Sequence, residues 1–153
     1  MTFLDAGEYN LTFNGFNHIQ KLSKPIYRHI SVLEPVGGLE VVDLSNDTTE
    51  PETKRLSVEI THLGTNSCLL VDYGEKSRED LATFGDAINC QRLFPSIKSV
   101  HNQTLTRIME LSKKYYKPRD YFLKFTLANR LSRVVRELMV TVLGMLVLLL
   151  NFS

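Results

Sequence analysis

The chain has 153 residues, of which 43% are hydrophobic and 23% charged, enough apolar material for a real core; composition excludes wholesale disorder and suits one domain. The formal net charge of +1 conceals a split. Residues 1–102 carry nine cations and fourteen acids, net −5, and residues 103–153 carry nine cations and three acids, net +6, so the basic half suits an anionic partner or the acidic half itself.

In chain order, the first half reads as strands. Residues 8–13, 26–33 and 39–44 are short, rich in apolar or β-branched side chains and bounded by Gly or Pro. Residues 45–55 hold no large apolar side chain apart from Pro51 and read as a solvated loop. Residues 56–63 give the clearest signal: Leu56, Val58 and Ile60 alternate with Ser57, Glu59 and Thr61, the period of a half-buried strand. Gly64-Thr65-Asn66 supplies a turn, and with the apolar run 67–73 these residues predict a β-hairpin.

The second half reads as helices. Ser77 can cap a helix that places Leu81, Phe84 and Ile88 on one face. Asn102 can cap another over 104–116, which Pro118 interrupts. On a helix over 127–139, Leu127, Ala128, Leu131, Val134, Val135, Leu138 and Met139 share one arc, opposite Arg130, Arg133 and Arg136. The expected fold is therefore α+β: an N-terminal antiparallel sheet of hairpins, then C-terminal helices and an apolar tail. Residues 1–118 form the body, and 119–153 the basic amphipathic helix with its tail.

That tail holds no charge from Leu138 to Ser153. Its sixteen residues would reach about 24 Å as a helix, short of the roughly 30 Å of a bilayer core. Bilayer thinning and snorkelling arginines could close the gap, and cations crowd only its N-terminal side, as in a tail anchor with a cytosolic body. The predicted membrane-contacting residues are Arg130, Arg133, Arg136, Leu138, Val142, Leu146 and Leu149. The competing expectation is burial of the same run inside the fold.

Residues 113–125 interleave five cations with five aromatics, a composition that suits single-stranded nucleic acid. The candidate contacts are Lys113, Lys114, Tyr115, Tyr116, Lys117, Arg119 and Lys124. No nucleic-acid-binding motif accompanies them, and the plainer expectation is that the aromatics are core and the lysines surface.

Catalytic chemistry is not visible. The four histidines, His18, His29, His62 and His101, lack a second ligand at metal spacing, no glycine run cradles phosphate, and the acids do not follow a calcium loop. No metal or cofactor is expected. Cys68 and Cys90 are too sparse for a disulfide framework and read as two buried thiols in a reducing compartment. The N-terminal residues lack the pattern of a secretory signal, so Asn10-Leu11-Thr12 and the other glycosylation-type triplets read as chance matches.

In general character the chain resembles a small accessory protein of a virus. No motif carries that resemblance, and no residue role follows from it. The functional expectation is a non-enzymatic interaction protein on the cytoplasmic face of a membrane, engaging anionic lipid and a protein partner. The alternative is a nucleic-acid-binding, shuttling or movement-type protein of the cytoplasm or nucleus.

Overall fold

The computed structural model describes residues 5–16, 24–44, 52–77, 81–97 and 103–144. The chain divides into two compact units, 1–34 and 35–153.

The first unit holds a hairpin of β1 (Gly7–Phe13) and β2 (Ile26–Val32), antiparallel with Tyr9 opposite Ile30 and Phe13 opposite Ile26. Alternation sorts its faces. Tyr9, Leu11, Phe13, Ile26, Ile30 and Val32 share one side. On the other, Ser31 donates to Glu8 at 2.7 Å and His29 Nδ1 lies 2.9 Å from Asn10.

The second unit is almost entirely β. A three-stranded sheet runs in the order β3 (Gly37–Asp43), β4 (Thr53–His62), β7 (Ile108–Lys114). A four-stranded sheet runs in the order β6 (Leu81–Gly85), β5 (Cys68–Asp72), β8 (Arg119–Ala128), β9 (Arg133–Val142). Every ladder within the sheets is antiparallel. Their inner faces share one core: Leu39, Leu56, Val58, Ile60, Met109 and Leu111 from the first sheet, and Leu69, Val71, Tyr121, Leu123, Phe125, Leu127, Val140 and Val142 from the second. β3 runs beside β9, where the Val36 amide donates to Ser132 Oγ at 2.8 Å.

This architecture corrects the α+β expectation. The segment expected to form a helix across Leu81, Phe84 and Ile88 is strand β6 followed by one short helix, α1 (Ala87–Leu93), capped by Asp86. The helix expected over 104–116 is β7. The helix expected from residue 119 onward is the β8–β9 hairpin, part of the same sandwich as the rest of the second unit. The expected pairing of 56–63 with 67–73 is also corrected. β4 pairs with β3 and β7, β5 pairs with β6 and β8, and the turn at 64–66 carries the chain from one sheet to the other. Gly64 and Asn66 both have positive φ there, 67° and 52°, a conformation these residue types tolerate.

The C-terminal helices fail for a physical reason. In β8, Tyr121, Leu123, Phe125 and Leu127 point inward while Asp120, Phe122 and Lys124 point outward, a strict period of two. Asn129 then ends the run. Its side chain accepts from the Leu131 and Ser132 amides at 3.0 Å each and donates to the Thr65 carbonyl at 3.1 Å. A buried Asn satisfying two orphan amides makes a turn where a helix would have continued.

The two cysteines are not free thiols. Cys68 on β5 and Cys90 on α1 form a disulfide. With Ala128 and Phe94 they make a second small core, which fastens α1 over the outer face of the four-stranded sheet.

Candidate interaction face

The β8–β9 hairpin has two unlike faces because its ladder holds one register along its length, from Arg119 opposite Val142 to Ala128 opposite Arg133. The inner face is core. On the outer face, Phe122 stands opposite Met139 and Lys124 opposite Glu137. Asp120 stands opposite Thr141 and accepts its hydroxyl at 2.6 Å. α1 covers only the far end of this face, over Ala128 and Cys68. The near end is open. Phe122 is 70% exposed, Met139 56% and Leu143, just past the strand, 70%; Val135 is also exposed. Phe122 and Met139 lie beyond the last β5 partner of β8, Lys124, on a stretch where only β8 and the edge strand β9 are paired, so two large apolar side chains meet water side by side.

Among the described residues, the predicted membrane-contacting side chains do not share a face. On a helix, a spacing of three keeps arginines together; on a strand it separates them. Arg133 lies on the outer face, its guanidinium 5.9 Å from the centre of the Phe94 ring. Arg136 lies opposite Phe125 on the inner side, at the exposed margin of the sheet. Arg130 sits in the turn. Leu138 packs against the core and Val142 is buried within it. Leu146 and Leu149 lie outside the described residues.

The basic-aromatic stretch is similarly divided by alternation. Tyr115 is 1% exposed and donates its hydroxyl to the Tyr73 carbonyl at 2.9 Å. Its ring lies 4.0 Å from that of Tyr121, so these two aromatics belong to the interior. Lys113 pairs with Glu75 at 2.9 Å and Lys114 with Glu52 at 3.7 Å. The Arg119 guanidinium covers the Tyr121 ring at 4.6 Å. Tyr116, Lys117 and Lys124 are exposed, but Lys124 lies on the outer face of the sheet and Tyr116 in the turn before β8.

Burial pushes the Tyr115 phenol well above its ordinary range, with the nearby acids Glu75 and Asp72 acting in the same direction. Burial raises the Tyr73 phenol too, partly offset by Lys113. A phenol whose ionisation is raised in the folded state stabilises the fold below its unfolded value and loses that contribution as pH rises past it. Chemical denaturation followed across pH should therefore show stability falling above about pH 10. Tyr115→Phe should flatten that fall while costing about 1 kcal/mol at neutral pH for the lost hydrogen bond.

A cleft of about 660 Å³ opens between the 63–67 turn, the start of α1 and residues 103–105. Its carboxylate, Asp86, accepts from the Ile88 and Asn89 amides at 3.1 Å each and is occupied in capping the helix. Asn66, Ser67, Asn89, Gln103 and Thr104 supply the other polar side chains, which include neither an acid–base pair nor an activated nucleophile. Among the described residues no group of three or more His, Cys, Asp or Glu could hold a metal, and no helix is long and apolar enough to cross a membrane.

The chain matches no protein-family model and no curated protein by sequence. The sequence reading missed the outer β8–β9 face. Its signal was nonetheless present: the alternation of 120–127 was there to be found, but the interleaved charges drew attention to composition instead.

Proposed function

We propose that this chain is a non-enzymatic binding domain that presents the outer face of β8–β9 to a protein partner. The observation that carries this reading is the cross-strand pair Phe122–Met139, open to water on the two-stranded stretch of β8–β9 beyond the end of β5, in a sheet whose other end is covered by a disulfide-fastened helix. A rigid sheet presents such a pair at little entropic cost on binding, and charges around an apolar centre are the usual anatomy of an interface.

The test is carbene footprinting of the full chain, in the cells that make it and as dilute purified protein. Phe122 and Met139 should be labelled strongly in the dilute protein and protected in cells. Equal labelling in both settings would refute the proposal.

A second reading places the chain on a membrane. It rests on Leu131, 56% exposed in the β8–β9 turn between Arg130 and Arg133, an arrangement suited to an anionic interface. It predicts co-sedimentation of the full chain with phosphatidylserine vesicles, abolished by Leu131→Asp. Absence of co-sedimentation at low salt would dismiss this reading.

A further inference from the structure

We infer that the partner on this face is a second copy of the same chain, an inference that rests on the outer face being a docking surface. The argument comes from the order of residues along the hairpin. On the outer side β9 presents Val135, Glu137, Met139 and Thr141, and β8 presents Asp120, Phe122 and Lys124. Read outward from the Phe122–Met139 row, the pattern is a palindrome of apolar and polar positions. It carries opposite charges at the two equivalent places on β8, Asp120 on one side and Lys124 on the other.

Identical sheets pack face to face about a two-fold axis lying between them. Let that axis cross both strands at the Phe122–Met139 row. Rotation then sets Phe122 and Met139 against the same residues of the second copy. Lys124 comes over the second copy's Asp120, and its Asp120 under the second copy's Lys124. Glu137 meets Thr141. Apolar positions meet apolar ones, and both cations meet anions, in two equivalent pairs. Moving the axis one row, to Lys124–Glu137, would place like charges on one another and Phe122 over Thr126. Of these two registers only the first keeps like charges apart; within its own sheet Lys124 lies between Asp72 and Glu137.

The Asp120 carboxylate is already oriented on this face by Thr141, so its pairing needs little new order. A strip running from Val135 to Thr141 spans about 20 Å at the usual rise per residue. That is shorter than a large permanent interface requires, so a reversible dimer is expected.

The experiment is sedimentation equilibrium of the full chain over about three decades of concentration. A monomer–dimer equilibrium should appear. Met139→Asp should weaken it at least about tenfold. Asp120→Lys or Lys124→Asp alone should each weaken it by a similar factor, because each sets like charges together across the axis. The double variant Asp120→Lys, Lys124→Asp should restore it. Restoration separates a charge pair across the interface from simple damage to the fold. A chain that stays monomeric at every concentration, self-association indifferent to Met139→Asp, or a double variant as weak as the single ones would overturn the inference. A monomer whose Phe122 and Met139 are still protected in cells would remove the second copy and leave the docking surface standing.

Discussion

Replacing Phe125 by alanine should cost the fold about 3–5 kcal/mol, whereas the same change at Phe122, three residues earlier on the strand, should cost less than about 0.5 kcal/mol. Phe125 is 0% exposed. It lies on the inner face of β8 between Val71 of β5 and Arg136 of β9, so truncation leaves a cavity in the shared core. Phe122 points the other way into water and loses little burial. Urea denaturation of the two variants measures the contrast directly. Similar losses at both positions would contradict the strand alternation on which the outer face depends.

Removing the disulfide is the second large effect. Cys68 and Cys90 are 22 residues apart, and closing a loop of that size stabilises a fold by about 3 kcal/mol in the chain-entropy description. Cys68→Ala with Cys90→Ala should lower the thermal midpoint by roughly 10 °C for a chain of this length. The effect should be local as well as global. α1 has seven residues, too few to persist without tertiary support. Amides of 87–93 should then exchange with solvent much faster in the variant, while those of β8 remain protected. Unchanged exchange in α1 would show that packing of Phe94 and Ala128 holds the helix without the bond.

The sequence carried part of this fold and obscured the rest for identifiable reasons. The first-half strands were legible because Leu56, Val58 and Ile60 alternate cleanly and Gly and Pro mark the ends. Strand partners were not legible. Sequence proximity suggested that β4 pairs with β5, whereas the turn at 64–66 moves the chain between sheets. In 127–139, the apolar residues satisfy a helical arc, and the adjacent pairs Val134–Val135 and Leu138–Met139 hide the alternation that a strand would show. What decides for the strand is Asn129, whose side chain accepts from the Leu131 and Ser132 amides and donates to the carbonyl of Thr65, 64 positions away. The cysteine pair was unreadable for a similar reason, since two sulfurs at a spacing of 22 meet only once α1 has folded back over the sheet. The outer face is hidden in the sequence because Phe122 and Lys124 continue the basic-aromatic composition of Lys113–Lys117. In the folded chain, alternation sends Tyr115 and Tyr121 inward and sets Phe122 beside Met139.

The proposed mode of action differs from the one the helix suggested. A basic helix would hold a surface by summed attraction of arginines to anionic headgroups. A sheet face with an apolar centre and mixed charges gains instead from matching shape and sign, and rejects partners that present the wrong charge. Salt should accordingly weaken association only modestly, because the pairs flank an apolar contact.

Methyl NMR of the full chain, labelled at its four methionines, addresses the central claim most directly. Met139 lies on the open outer face and Met109 in the core, 8% exposed. As concentration rises from dilute solution, the Met139 methyl should shift and lose its relaxation by a soluble paramagnetic probe, while Met109 stays fixed. A Met139 methyl that remains equally exposed at every concentration would contradict self-association through this face.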